Sequence, residues 1–154
     1  VPQHSNSQRC LVLRQKYAEV MLPQYESERL IICADQSWLN ETFFVRKAWT
    51  PRKEHASLSV KAVVPRLTLI AAIDTQGRIW YSLAHANTNA DLMMLFLLKL
   101  FEKLEEAEPG LKERALLLLD GAKWHVSAAM RRYLSQLGIQ TMWSAPYSYD
   151  SAPM

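Results

Sequence analysis

Two apolar runs that each end in an aspartate constrain this chain more than any other feature. Leu30-Ile31-Ile32-Cys33-Ala34 leads without a polar residue into Asp35, and Ala115-Leu116-Leu117-Leu118-Leu119 leads into Asp120, followed by Gly121. Runs of this length without polar alternation suit strands buried on both faces, with each aspartate standing where its strand leaves the core. A single aspartate in such a place is otherwise a turn residue or a helix N-cap. The matched pair points further. Side by side, the two strands would project both carboxylates from one end of a sheet, close enough to share divalent ions. Mg²⁺ takes oxygen ligands and keeps several waters, so one or two carboxylates and a substrate phosphate complete its shell. Two ions held in this way activate an attacking oxygen and stabilise a leaving oxygen.

The 154 residues are the size of one domain, or of a piece of a larger protein, and the chain reads as cut from a longer one at both ends. A net charge of +3 is compatible with a nucleic-acid partner without arguing one by itself. Its distribution says more. Arg46, Lys47, Arg52, Lys53, Lys61 and Arg66 fall in a stretch whose one acid is Glu54. Cys10 and Cys33 are far apart, with Cys33 inside a buried run, so a disulfide framework is not expected and a reducing compartment fits better. The histidines His4, His55, His85 and His125 make no pair with zinc-ligand spacing. The longest apolar run, Leu92 to Leu98, is far short of the roughly 20 residues a membrane span needs. No signal peptide is visible at the polar start.

Helical spacing of Leu13, Tyr17 and Val20 or Met21 predicts a first helix from Arg9 to Leu22, stopped by Pro23, and residues 1–29 are read as linker and first helix. Strand one follows at 30–35. Thr42-Phe43-Phe44-Val45 is a possible short strand, and Trp49-Thr50-Pro51-Arg52-Lys53-Glu54-His55 an extended basic arm, its Trp either exposed or tucked back onto the core. Leu67 to Asp74 and Arg78 to Leu83, flanking Thr75-Gln76-Gly77, predict a hairpin in which Asp74 is a turn residue at the far end of its strand and not a catalytic one. Asn87-Thr88-Asn89 offers N-caps for a helix from Ala90 to Ala107, closed by Pro109-Gly110. Ala115 to Leu119 is strand four. A helix from Val126 to Leu137, with Ser127 as cap and Gly138 as stop, leads to a fifth strand from Ile139 to Trp143. With strands one to three as an antiparallel meander and helical crossovers placing strands four and five parallel to strand one, the order describes an RNase H-like α/β fold: a five-stranded mixed sheet flanked by helices.

The residues also resemble a known family, the catalytic domain of DDE/D transposases of the mariner type and their bacterial insertion-sequence relatives. Asp35 closes the first strand, Trp49-Thr50-Pro51 stands in the basic arm, and Asp74-Thr75-Gln76-Gly77 forms the hairpin turn. Leu119-Asp120-Gly121-Ala122-Lys123-Trp124-His125 is similar to the family's L-D-N-A-x-x-H, and Pro146-Tyr147-Ser148-Tyr149-Asp150-Ser151-Ala152-Pro153 to its P-Y-S-P-D-L-A-P. Departures are Gln36 where a second acid is usual, Gly121 for Asn, and Tyr149 and Ser151 for Pro and Leu. The third catalytic acid of the family is expected immediately after Met154, 35 residues beyond Asp120. Residues 30–154 are thus read as a catalytic domain ending just before that acid, with the family's upstream helix-turn-helix module outside this chain.

The resemblance implies a transposase in which Asp35 and Asp120 hold two Mg²⁺ or Mn²⁺ ions, for hydrolysis at transposon ends and strand transfer to target DNA. It implies DNA and a second subunit as partners. Lys47, Arg52, Lys53 and Lys123 are the expected phosphate contacts, Trp49 and Pro51 the expected dimer arm, and His125 a brace for the Asp120 loop. The fragment alone is expected to be inactive, and the parent to work in a eukaryotic nucleus or a bacterial nucleoid. Two other readings stay open: a domesticated, non-catalytic DNA-binding or assembly module, to which Gln36, Gly121 and the altered tail motif point, and another RNase H-like nuclease or integrase.

Overall fold

The computed structural model describes residues 6–27, 29–39, 67–87 and 89–146. The basic arm with Lys47, Trp49, Pro51, Arg52 and Lys53, the possible strand at 42–45, and the tail motif beyond Pro146 lie outside the described residues. The elements are α1 (Gln8–Glu26), β1 (Leu30–Leu39), β2 (Leu67–Asp74), β3 (Ile79–Ala84), α2 (Ala90–Ala107), α3 (Leu111–Arg114), β4 (Ala115–Leu119), α4 (Ala128–Leu137) and β5 (Gln140–Trp143). The strands form one sheet in the order β3-β2-β1-β4-β5. β1 pairs antiparallel with β2, and β2 with β3, while β4 lies parallel to both β1 and β5. This is the mixed RNase H-like sheet that the element order predicts.

Period-two alternation sends the two faces of the sheet into different cores. Leu30, Ile32, Ala34, Ala115, Leu117 and Leu119 face α2 and α4, where they meet Met93, Leu97, Phe101, Met130 and Leu134. Ile31, Cys33, Leu116 and Leu118 face α1, against Tyr17 and Met21. All five residues of β4 are buried. At about 1.5–3 kcal/mol for each fully buried Leu or Ile, this strand and its neighbour β1 anchor the fold.

Caps set most of the helix limits. Asn89 accepts from the Leu92 N–H at 2.9 Å, and Ser127 from the Met130 N–H at 3.2 Å, which fixes the starts of α2 and α4. Gly138, at φ +69°, closes α4 in the left-handed conformation that a β-carbon would strain.

The structure differs from the sequence reading in three places. Helix α1 runs past Pro23 to Glu26. The bond missing at Pro23 falls near the helix end, where the Ser27 N–H donates to the Pro23 carbonyl at 3.0 Å and Arg29 donates to Gln24 Oε1 at 3.0 Å. Strand β1 continues to Leu39, so Asp35 lies inside it: beyond Cys33 the strand loses β4 but stays paired with β2, up to Leu39 opposite Leu67. Burial, however, does end at Asp35. The third difference is the short helix α3. Its turn is held by Glu105, whose carboxylate accepts from the Gly110 N–H at 2.6 Å and the Lys112 N–H at 3.2 Å.

Candidate active site

Register brings the two carboxylates together. The last parallel pair joins Cys33 to Leu118; Asp35 lies two residues further along β1, and Asp120 directly follows the last residue of β4, near enough for its charge to act on Asp35. Ile31 and Cys33 face α1, so the alternation along β1 puts Asp35 on that face. Both are exposed, Asp120 where β4 gives way to a loop and Asp35 where burial along β1 ends.

Each carboxylate is tied back to the chain by one oxygen. Asp35 Oδ1 accepts from the Gln36 N–H at 2.7 Å. Asp120 Oδ1 accepts from the Ala122 N–H at 3.0 Å and pairs with Nδ1 of His125. His125 is completely buried, its Nε2 without a hydrogen-bond partner among the described residues. The 120–127 loop has fastenings of its own. Val126 N–H donates to the Ala122 carbonyl at 3.1 Å, Arg131 Nε to the Val126 carbonyl at 3.1 Å, and Trp143 Nε1 to the His125 carbonyl at 3.4 Å.

The environments push the two acids apart. Burial against the apolar strands raises the Asp35 pKa, and the Asp120 charge adds to this, outweighing the Gln36 N–H and His125, which lower it. Asp120 is held below the ordinary carboxylate value, chiefly by the His125 hydrogen bond and also by the Ala122 N–H, against an opposing contribution from burial. Two neighbouring carboxylates, one of them disfavoured as an anion by burial and by the other, form an oxygen-donor set that a hard divalent cation would relieve. Among the described residues no group of three or more His, Cys, Asp or Glu could hold a metal ion.

Other predicted positions fall as follows. Lys123 is exposed, three residues beyond Asp120. Asp74 lies at the opposite end of the sheet, paired with Ile32, and takes no part in the site. Gln36, which stands where the family usually has a second acid, donates its Nε2 to the Asn89 carbonyl at 3.5 Å, while its Oε1 is buried without a partner among the described residues. Trp143 and Arg131, whose guanidinium lies 4.3 Å from the Trp143 ring centroid, support the loop from β5 and α4. Nothing local in the sequence joins them to Asp120. No described helix is long and apolar enough to cross a membrane.

Solved structures share this fold. The chain matches the catalytic domain of Mos1 mariner transposase with a TM-score of 0.70 and 25% identity, covering 99% of this chain and 69% of that one. It matches the Mos1 paired-end complex with left transposon end at TM-score 0.70 and 25% identity, over 98% of this chain and 47% of that one. The Mos1 mariner paired end complex with Mn matches at TM-score 0.69 and 25% identity, over 96% and 46%. This chain therefore spans about half the length of the transposase chains in those complexes. No curated protein matches the sequence. Residues 30–154, which contain every strand of the sheet and both carboxylates, match the DDE superfamily endonucleases, and the chain belongs to that family.

Proposed function

We propose that this chain is the main part of a transposase catalytic domain that cleaves DNA at transposon ends and joins the freed ends to a target. The observation that carries the reading is the closeness of Asp35 and Asp120 beside the parallel β1–β4 pair, each with one oxygen that no described residue bonds. Asp35 and Asp120 would hold two Mg²⁺ or Mn²⁺ ions; ions so held make a bound water or 3′-hydroxyl nucleophilic at neutral pH and neutralise the leaving oxygen. The protein's own part is placement. β1 and β4 fix the two carboxylates through their backbones, so little reorganisation is needed when a phosphodiester arrives. Exposed Lys123 would meet a DNA phosphate, as would Lys47, Arg52 and Lys53 of the arm.

The Mos1 complexes with paired ends, transposon-end DNA and Mn support DNA as partner, a dimer as the working form and a divalent cofactor. Trp49 and Pro51 would meet the second subunit, and the full-length protein would act wherever the host keeps its DNA, in a nucleus or a nucleoid. The test is Mn²⁺-dependent nicking of transposon-end DNA by the full-length protein, alongside Asp35→Ala and Asp120→Ala. Nicking that either substitution abolishes while DNA binding persists supports the reading. DNA binding without nicking by the parent would instead place it among non-catalytic descendants of transposases.

A further inference from the structure

Of all the contacts at the site, that of His125 is the least explained by folding alone. The ring is fully buried, and its one polar contact among the described residues is Asp120 Oδ1. An ionised carboxylate only accepts, so the His125 Nδ1–H is the donor of this bond. The other ring nitrogen, Nε2, is buried without a hydrogen-bond partner among the described residues. An apolar ring would fill the same space without leaving a polar atom unpaired, an omission that is unfavourable in a protein interior. The Asp120 bond is thus the one polar gain that a histidine brings here.

We propose that His125 is a positioning residue that decides which oxygen of Asp120 meets the metal. The proposal rests on the metal-dependent reading above and deepens it. Nδ1 of His125 and the Ala122 N–H both occupy Oδ1, which leaves Oδ2 as the donor and makes Asp120 a one-oxygen ligand in a fixed orientation. Asp35 has no comparable brace, since its bond comes from the N–H of the very next residue. The site is therefore asymmetric, with Asp120 as its fixed member and Asp35 as its adjustable one. The loop does not depend on the imidazole for its path, because the Trp143, Arg131 and Val126 bonds all involve backbone carbonyls.

The experiment is Mn²⁺ titration of the full-length protein without DNA, with metal-free melting temperatures recorded in parallel. Contacts of this kind are worth about 10- to 100-fold in metal affinity, so His125→Phe should weaken Mn²⁺ binding by that factor, while His125→Asn, whose amide N–H replaces Nδ1, should stay within about threefold of the parent. His125→Gln carries its amide near the Nε2 position and should resemble the Phe variant. Unchanged affinity in His125→Phe overturns the proposal, as does an equal loss in the Asn and Phe variants that follows their melting temperatures. Should the Phe variant not fold, Asn against Gln decides, and equal affinity in those two overturns it. Asp120→Ala separates this idea from its foundation: if that variant binds Mn²⁺ like the parent, the metal site itself is wrong, whereas loss there with no effect of His125→Phe overturns the positioning role alone.

Discussion

The two ends of the sheet both carry aspartate, and they treat it in opposite ways. At the hairpin end, the Asp74 side chain is fully buried and every oxygen is used: Oδ1 accepts from the Gln76 and Arg78 N–H groups, each at 2.9 Å, and Oδ2 pairs with Arg78 Nε at 2.6 Å. The turn it braces also places Gly77 at φ +81° and locks onto β1 through the Thr75 N–H and the Ile31 carbonyl at 3.0 Å. At the other end the Asp120 side chain is 51% exposed, and among the described residues one oxygen each of Asp120 and Asp35 is left over. A carboxylate whose acceptors are all satisfied by its own fold has nothing to offer a ligand. One that is oriented but only half satisfied does.

The contrast can be broken most severely at Asp120. Asp120→Ala in the full-length protein should reduce strand cleavage about 10³-fold or more, roughly 4 kcal/mol of transition-state stabilisation, with the fold retained in circular dichroism. Asp74→Ala should do the reverse. Removing a carboxylate that serves two N–H groups and a guanidinium should destabilise the protein by about 2–3 kcal/mol in denaturant melts, because Arg78 stays partly in water, and leave Mn²⁺ affinity unchanged. If Asp74→Ala impaired metal binding as strongly as Asp120→Ala, the division between structural and functional ends would fail.

A smaller effect separates the two members of the site. The Asp35 pKa is raised in the folded state, so the folded protein takes up its proton more readily than the unfolded chain, and stability from this group is lost as pH rises through the folded value. Asp35→Asn should therefore raise the melting temperature of metal-free protein at neutral pH, with the gain vanishing in acid. Asp120 runs the other way: its depressed pKa contributes stability above the unfolded value that is lost as pH falls through the folded one. Melting curves from pH 3 to 7 on the two single Asn variants should show opposite signs at neutral pH. The smallest effect expected concerns Cys33, two residues before Asp35. Burial pushes its thiol up to about 11, so iodoacetamide at pH 8 should leave it unmodified in the native protein and label it after denaturation. Rapid native labelling would mean that the α1 face opens far more readily than its packing implies.

Much of this molecule is decided by interactions within a few residues, and that part was legible. Asn89 and Ser127 cap the helices that follow them, Gly138 ends one, the Asp74–Gly77 turn closes the hairpin, and the unbroken apolar runs mark β1 and β4 as buried on both faces. Each depends on side-chain type and spacing alone. Where local rules misled, the support came once from nearby side-chain and backbone groups and once from a distant strand. Pro23 was tolerated because Arg29 and Ser27 support the last turn of α1, and β1 outlasted its apolar run because β2 continues beside it to Leu39.

The candidate site belongs to the same divide. Sequence marked Asp35 and Asp120 as two ends of two similar strands, but not their closeness, since one step of register would turn a side chain to the other side of the sheet. Only the pairing of β1 with β4, across some eighty residues of chain, decides that. The link from His125 to Asp120 crosses an irregular loop whose path is set by Trp143 and Arg131 on later elements, so no periodicity announces it. Sequence chose the chemistry because residue type fixes charge and hydrogen-bonding capacity. Tertiary structure chose the geometry because register, burial and the unshared oxygen arise only when distant segments compete for the same space.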